Sequence, residues 1–368
     1  MNRTKLRVLP FVIALLPVDI LLSAVVIAVD IVSLPLRILR GQPFTMKSTD
    51  TSSVTIQILN WDGLHLLKAC LPKLTEAVQH HFDETGNRLA VQVVDNGSRD
   101  GSVEYVEKYF PDMRVVALDR NYGYAIGNNK GLSHVRSEIV VLLNNDMLVK
   151  PDFLKPLLTP FEDPKVFAVA SQVFFDDTTK RREETGKTSG RFEGGFFRLW
   201  HDDVPINSSE LPSPVFWAGG GACAVDLRKL MKIGGFDSLY HPFYVEDTDI
   251  SWQAWKRGWT CLFAPKSHVV HRHRGTSRPK FGDDFVDRMI RRNQFLFIWK
   301  NVTNPGMMLS HLAGLPRIHG SAMIQFGVQF EILSFLGAIA RLPIALWRRA
   351  GNLRSYAISD RQVLKMFP

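Results

Sequence analysis

The chain has 368 residues, of which 45% are hydrophobic and 22% are charged. This composition is sufficient for one large domain or two interlocked ones, and it excludes an intrinsically disordered protein. The 45 basic residues outnumber the 36 acidic ones and give a formal net charge of +9, which suits a nucleic acid, an anionic lipid or a phosphorylated substrate. Cys70, Cys223 and Cys261 match neither a zinc motif nor a disulfide framework. We expect them to be packing residues in a reducing compartment.

The first predicted element is a nearly continuous apolar segment from Val8 to Leu36. One helix of that length would measure about 43 Å, which exceeds the roughly 30 Å hydrocarbon core of a bilayer. Pro17 interrupts the segment, and Asp19 and Asp30 lie three helical turns apart on one face. These features favour a bent, re-entrant or interfacial membrane helix over a simple span.

A single transmembrane helix and a cleaved signal peptide are the alternatives for this segment. Lys5 and Arg7 would form the basic start of a signal peptide, but the apolar stretch is too long and no clear A-x-A site follows. Arg37 and Arg40 lie beyond its far end, so basic residues flank both sides. The positive-inside rule therefore predicts that both flanks lie on the cytoplasmic face of the cell membrane.

Between Thr51 and about Phe175, short β-rich runs alternate with stretches of helical length, one of which begins at Ser102. Continuous apolar runs suit strands that are covered on both faces. The alternation predicts an α/β fold with a mixed, mostly parallel sheet. The predicted strands are Val54 to Leu59, Val91 to Val94, Val115 to Leu118 and Ile139 to Leu143.

Polar side chains follow three of these predicted strands. In sheets of this kind ligands bind beyond the carboxyl ends of the strands. A tight turn followed by a helix cap would also explain any one of the segments, but their joint position favours a nucleotide site. The segments are Asn60-Trp61-Asp62-Gly63, then Asp95-Asn96-Gly97-Ser98-Arg99-Asp100-Gly101, and Asn144-Asn145-Asp146.

The chain becomes apolar again from Pro305 to Trp347, where Pro316 and Pro343 break the pattern. Three arginines follow. This arrangement predicts helices at the membrane surface whose arginines reach lipid phosphate. Ordinary core helices are the alternative. The arginines are Arg348, Arg349 and Arg354.

Several motifs between Val54 and Ser277 together resemble the family 2 inverting glycosyltransferases of the GT-A fold, particularly the rhamnosyltransferase-like members. Their order and spacing carry the resemblance. The motifs are Val94-Asp95-Asn96-Gly97-Ser98, the run from Asn121 to Gly131, Leu142-Leu143-Asn144-Asn145-Asp146, Gly219-Gly220-Gly221-Ala222-Cys223, Gly234-Gly235-Phe236-Asp237, Tyr244-Val245-Glu246-Asp247-Thr248-Asp249 and Val269-Val270-His271.

The resemblance implies a nucleotide-diphosphate sugar as donor and Mg²⁺ or Mn²⁺ as cofactor. Asp95 would contact the base or ribose, with Asn60 nearby. Asp146 is the only carboxylate in the place of the family's D-x-D motif, and His271 would be a second metal or diphosphate ligand. Further substrate contacts are expected from Asn128, Asn144, Asn145 and Arg274.

The attacking hydroxyl needs a base, and Asp247 with its neighbour Glu246 is the best acidic pair for that role. We expect Asp247 to be the base, Glu246 to be the second candidate, and Asp249 to position the acceptor or cap the helix. Trp217 and Gly220 suit the stacking of a sugar ring. A tight turn beside a core tryptophan would give the same sequence pattern.

These residues predict four regions: a membrane-associated segment and linker at 1–50, a nucleotide-sugar half at 51–165, an acceptor and catalytic half at 166–300, and membrane-surface helices at 301–368. We expect transfer of one sugar, with rhamnose as a candidate, to a lipid-linked saccharide of envelope polysaccharide synthesis. The expected partners are this donor, this acceptor and membrane lipid, without nucleic acid.

Two other functions fit less well. A sugar nucleotidyltransferase would carry a glycine-rich basic loop where Asn60-Trp61-Asp62-Gly63 stands. An inactive sugar- or lipid-binding relative would explain the reduced Asn-Asn-Asp motif. The intact Asp247, Asp146 and His271 argue against such a loss of catalysis.

Overall fold

The structure is a computed structural model that describes residues 3–33, 35, 47–176, 184–204, 211–272 and 277–367. The chain divides into two compact units. The sheet unit comprises Thr45–Ser189 and Trp200–Lys280, and the helical unit comprises Met1–Phe44, Gly190–Leu199 and Phe281–Pro368.

Nine of the eleven strands in the described residues form one mixed sheet, on which the sheet unit is built. The strands are β1 (Val54–Asn60), β2 (Ala90–Asp95), β3 (Arg114–Ala117), β4 (Ile139–Asn144), β5 (Met147–Val149), β6 (Val166–Phe175), β7 (Thr188–Glu193), β8 (Phe196–His201), β9 (Ser213–Pro214), β10 (Ala222–Asp226) and β11 (Thr260–His271). Their order in the sheet is β3-β2-β1-β4-β10-β6-β11-β5, with β9 paired to β11, while β7 and β8 form a separate two-stranded sheet.

The helices of the chain, in order, are α1 (Arg3–Val32), α2 (Leu64–Thr85), α3 (Ser102–Tyr109), α4 (Gly123–Leu132), α5 (Leu154–Leu158), α6 (Leu227–Ile233), α7 (Glu246–Lys256), α8 (Ser277–Phe281), α9 (Asp283–Asn301), α10 (Pro305–Phe326), α11 (Val328–Ile339), α12 (Leu342–Asn352) and α13 (Asp360–Leu364). Short 3₁₀ turns cover Thr159–Glu162, Ser238–Tyr240 and Leu353–Ser355.

The first half of the sheet confirms the predicted strands, with ends that differ by at most one residue. Strands β3, β2, β1 and β4 run parallel to one another. Their apolar side chains pack against α2, whose Leu67, Leu71 and Leu74 are fully buried. The register pairs Asn60 with Asp95, so the polar ends of the strands meet at one edge of the sheet.

Antiparallel strands complete the sheet and extend that edge. Strand β10 lies antiparallel between β4 and β6, and β11 runs parallel to β6. The short strand β5 pairs antiparallel with β11, which sets His271 opposite Met147. Residues that are distant in sequence therefore reach the edge at which β1 and β4 end.

In the helical unit, α1 is one continuous helix of 30 residues that contains both Pro10 and Pro17. The predicted interruption at Pro17 is therefore wrong. A proline removes one backbone hydrogen bond, and the turns on either side continue the helix. Within the described parts of the chain, Leu6–Val32 is the one helix long and apolar enough to cross a membrane, and the bent pair of α11 and α12 passes the same test when taken together.

The C-terminal prolines are also accommodated within helices. Pro316 lies inside α10, and Pro343 lies in the first turn of α12, where its missing N–H has no helical partner to lose. Arg349 corrects one prediction: its guanidinium is fully buried and binds Asp30 in a bidentate pair at 2.7 and 2.8 Å. It is therefore not available to lipid phosphate.

Candidate active site

A buried hydrogen-bond network joins the ends of the parallel strands. The Asn60 amide donates to Asp95 Oδ1 and Ser98 Oγ, each at 3.2 Å, and the Asn145 amide donates to Asn60 Oδ1 at 2.7 Å. The Ser98 N–H donates to Asp95 Oδ2 at 2.8 Å. A Cβ at Gly63 would lie 2.3 Å from the Asn145 amide nitrogen, so any larger residue there would displace this amide from the network. The network holds these side chains together at the ends of the strands. Direct contact of Asp95 with a nucleotide stays a prediction.

Lys280 lies above the segment that follows β1. Its Nζ sits 3.7 Å from the centre of the Trp61 ring, donates to the Trp61 carbonyl at 3.1 Å and lies 3.5 Å from Asp62 Oδ2. Sequence reasoning missed this lysine because it is separated from Asp62 by 218 positions. The arrangement places a cation and an aromatic face at the rim of the strand edge.

Asp146 and His271, predicted to act together, are in contact. His271 Nε2 lies 3.2 Å from Asp146 Oδ2, and its Nδ1 lies 2.9 Å from Glu184 Oε2. Burial alone would lower the pKa of His271, but its hydrogen bonds to the two carboxylates outweigh burial and raise the pKa to about 10. Glu184 was not singled out from the sequence, because nothing local to it marks it as a site residue.

The fit of a divalent cation rests on Asp146. Its Oδ1 is buried and has no hydrogen-bond partner among the described residues, which leaves a carboxylate oxygen available as a ligand. The described residues contain no cluster of three or more His, Cys, Asp or Glu side chains suited to a metal ion. A cation here would therefore take most of its ligands from diphosphate and water, as Mg²⁺ commonly does. Arg274 lies outside the described residues.

Asp247 lies at the start of α7, beside the glycine-rich loop. Its Oδ1 accepts from the Thr248 N–H at 2.6 Å, and its Oδ2 accepts from the Gly220 N–H at 3.4 Å. Tyr124 donates to the Gly220 carbonyl at 2.8 Å and so fixes the loop. Asp247 is partly exposed, whereas Glu246 is only 5% exposed. Of the two carboxylates, Asp247 is the one that an approaching molecule can reach.

The two carboxylates of this pair have different environments. Burial raises the pKa of Glu246 well above its ordinary value, and the charges of Asp247 and Asp249 add to the shift. Burial also raises the pKa of Asp247, but its N–H donors oppose that shift. Glu246 Oε2 is buried without a partner among the described residues. Glu246 is therefore the member that more readily keeps a proton, and Asp247 is the member better suited to act as a base.

The backbone before α7 is strained. Tyr244 and Val245 have φ values of 71° and 79°, a left-handed conformation that is unfavourable for a β-branched residue such as valine. Asp249 is fully buried and accepts hydrogen bonds from Tyr240 Oη at 2.8 Å and Gln253 Nε2 at 2.9 Å. Both carboxylate oxygens of Asp249 are held inside the protein, which favours a positioning role over direct contact with the acceptor.

Two other predicted substrate residues are packed inside the sheet unit. Asn128 is buried, accepts from Gln57 Nε2 at 2.8 Å and donates to the Tyr124 carbonyl at 3.1 Å. Trp217 is buried, its backbone N–H and carbonyl both bond the Thr188 hydroxyl, and its ring meets the His201 ring edge-on. These contacts favour the core-tryptophan interpretation.

Asn144 occupies a different position from these buried residues. It is half-buried at the end of β4, and its N–H donates to the Gly221 carbonyl at 2.8 Å. This bond ties the glycine-rich loop to the strand edge. A substrate contact by the Asn144 side chain stays a prediction.

Profiles of two related families match the sequence. Glycosyl transferase family 2 matches residues 65–211, and glycosyl transferase family group 2 matches residues 139–351, which is more than half of the chain. The chain belongs to glycosyl transferase family 2. The resemblance inferred from the motifs is thereby confirmed.

Individual relatives are distant. N-acetylgalactosaminyltransferase 6 of Drosophila melanogaster is 26% identical over 190 residues, which cover 49% of this chain and 28% of the relative. N-acetylglucosaminyl-diphospho-decaprenol L-rhamnosyltransferase of Mycobacterium tuberculosis is 23% identical over 210 residues, covering 51% of this chain and 67% of the relative. The chain thus spans little more than a quarter of the first relative and two thirds of the second.

A solved structure supports the fold. The crystal structure of GalNAc-T7 with UDP, GalNAc and Mn²⁺ superimposes with a TM-score of 0.50 at 14% sequence identity, covering 77% of this chain and 55% of that protein. This likeness confirms the GT-A type of mixed α/β fold that the sequence predicts.

The raised pKa of Glu246 predicts how removal of this carboxyl changes stability with pH. Because its pKa is raised on folding, the stability it contributes is full below about pH 4 and is lost as the pH rises through the raised value. Glu246→Gln removes this loss. We expect the melting temperature of the variant, relative to the parent protein, to increase between about pH 5 and pH 8.

Thermal unfolding at several pH values measures this effect. Glu107→Gln, on the exposed side of α3, is the matched control and should show a pH-independent difference. A difference for Glu246→Gln that stays flat or decreases with pH would contradict the raised pKa of Glu246.

Proposed function

We propose that this protein is a glycosyltransferase that moves one sugar from a nucleotide-diphosphate sugar to an acceptor hydroxyl. The observation that carries the proposal is the partly exposed Asp247 carboxylate, held by the N–H groups of Gly220 and Thr248 next to the buried Glu246. A base is required because a neutral hydroxyl is a weak nucleophile.

Asp247 accepts the proton of the acceptor hydroxyl as that oxygen attacks the anomeric carbon. The new carbon–oxygen bond forms on the face opposite the diphosphate, while the bond from the anomeric carbon to the diphosphate oxygen breaks. The electron pair of that bond leaves with the nucleoside diphosphate. This direct displacement inverts the configuration at the anomeric carbon.

The leaving diphosphate gains negative charge, which must be stabilised. Asp146 would hold a divalent cation, with His271 as a second ligand once it has lost its proton, and the cation would neutralise this charge when bound. The unpartnered Asp146 Oδ1 supports the assignment, and Mn²⁺ accompanies UDP in the solved relative. Arg272, whose N–H donates to the Asp146 carbonyl at 2.9 Å, brings a further positive side chain to this segment.

The acceptor that we propose is a lipid-linked saccharide of envelope polysaccharide synthesis. The mycobacterial relative is named for a decaprenol-linked acceptor and for rhamnose, which makes rhamnose a candidate sugar. The apolar α1 supports a membrane location. Nucleotide sugars are made in the cytoplasm, so the sheet unit would face the cytoplasm.

The activity is tested by measuring nucleoside diphosphate release from UDP-, dTDP- and GDP-sugars with lipid-linked acceptors. With the productive pair, Asp247→Asn should lower turnover roughly 10² to 10⁴-fold, the usual contribution of a general base, with little change in donor binding. Asp112→Asn, an exposed carboxylate of the same unit, is the control. Near-normal turnover of Asp247→Asn would assign the base elsewhere, and no release from any donor would favour an inactive relative.

The loop at Gly220 is expected to orient Asp247, which a substitution can test. A Cβ there would lie 2.4 Å from Tyr124 Oη, whereas a Cβ at Gly219 meets no atom within 4 Å. Gly220→Ala should displace the loop that donates to Asp247 and lower kcat roughly 10²-fold, while Gly219→Ala should keep near-normal turnover. Equal activity of the two variants would show that this loop does not orient Asp247.

Metal dependence is tested by chelation. Excess chelator should abolish transfer, and Mg²⁺ or Mn²⁺ should restore it. Asp146→Asn should raise the metal concentration needed for half-maximal activity, because the cation loses a charged ligand, whereas the exposed control Asp152→Asn should not. Full activity in excess chelator would assign charge neutralisation to protein cations such as Arg272.

A further inference from the structure

Helix α1 is buried along one side over almost its whole length. Val8, Leu15, Leu22 and Val26 are buried, at spacings of seven and four residues that form one stripe on a helix. Within the helical unit, α1 packs against α10 and α12. Its other side exposes large apolar side chains, among them Leu9, Phe11, Ile13, Ile20, Leu21 and Ile31.

Asp19, in the middle of this stripe, forms an ion pair with α10. Its Oδ1 lies 3.2 Å from His319 Nε2, and His319 Nδ1 lies 2.8 Å from Glu331 Oε1. Arg291 completes this network of ion pairs with two hydrogen bonds to Glu331, at 2.8 and 2.9 Å. His319 and Glu331 are fully buried, so the pairing replaces the water that these charges lose.

Asp30 fastens the end of α1 to α12. Arg349 binds both Asp30 oxygens, and its Nη1 also donates to the carbonyls of Trp299 and Val302. Asp19 and Asp30 are eleven positions apart, or about 17 Å along a helix. The two ion pairs therefore hold a long part of α1 alongside its neighbours.

These neighbours do not suit a transmembrane arrangement. Helix α10 carries His311, Arg317 and His319, and it is not among the described helices apolar enough to span. Helices α11 and α12 have 12 and 11 residues, or about 18 and 17 Å, and each is shorter than the hydrocarbon core. Taken together the two helices are long and apolar enough to span, but they are bent by 53° at the break between them, so they do not form one straight transmembrane helix.

We infer that α1 lies in the plane of one leaflet, with its exposed apolar side in lipid and its Asp19–Asp30 side locked to α10 and α12. The occupant of the apolar side is an anionic bilayer. Trp347 of α12 is 68% exposed, and the Arg348 guanidinium lies 4.8 Å from its ring centre, a pair typical of the headgroup layer. The net charge of +9 favours anionic lipid. This inference rests on the proposed membrane location and defines its geometry.

The full-length protein allows a depth measurement. Leu6→Cys, Ile20→Cys and Ile31→Cys place single labels along the exposed side of α1, and the three native cysteines are buried. Each variant, labelled with an environment-sensitive fluorophore, is bound to vesicles of phosphatidylcholine and phosphatidylglycerol. Lipids with quenchers at different depths then report the position of each label. The unmutated protein measures background labelling.

An in-plane helix predicts the same shallow depth for all three labels. A label at position 20 near the bilayer centre, with those at 6 and 31 near opposite surfaces, would overturn the inference in favour of a span. Absence of vesicle binding would instead refute the membrane location itself, and sugar transfer, measured separately in detergent, would be unaffected by either outcome.

The role of the ion pairs is tested in the same assay. The double variant Asp19→Asn with Asp30→Asn removes both charges and should move the label at position 20 toward the bilayer centre, by up to about 15 Å. Asp284→Asn, an exposed carboxylate of α9, is the control and should leave the depth unchanged. An unchanged depth in the double variant would show that the aspartates do not set the orientation.

Discussion

Strand β1 pairs in parallel with β2 on one side and with β4 on the other, and the candidate site depends on this pairing. Parallel strands end at the same edge of the sheet. The polar residues that follow them therefore lie close together, although they are far apart in the sequence. The buried amide of Asn60 then bonds both Asp95 and Asn145. A shift in register of one residue would reverse the side-chain directions and separate these groups.

The antiparallel strands add functional side chains to this edge that the parallel half of the sheet does not contain. Strand β5 pairs with β11 and sets His271 beside Asp146. Strand β10 follows the glycine-rich loop, which bonds Asp247 at the start of α7. The sheet unit thus contains both Asp247, the proposed base, and Asp146, the proposed cation ligand, and the proposed displacement needs these two groups on opposite faces of a sugar.

Acidic side chains in the two units differ in whether they have a partner of opposite charge. In the sheet unit, the described residues give Glu246 no hydrogen bond or ion pair with a basic side chain, so burial raises its pKa. Asp247 is then the accessible carboxylate of the pair. In the helical unit, Asp30 is matched by the buried Arg349. A buried charge is stable where a partner of opposite charge is present, and otherwise the group takes its neutral form.

The sequence by itself determined the strands, the polar segments at their ends and the acidic pair at a helix start, because these follow from local periodicity and from the rule for parallel sheets. It also placed Asp19 and Asp30 on one face of α1. Only the tertiary structure decided their partners, since Asp19 meets His319 across 300 positions and Asp30 meets Arg349 across 319. The same holds for Glu246 and Asp247: their exposure and pKa depend on remote segments that pack around them, and no local pattern encodes that packing.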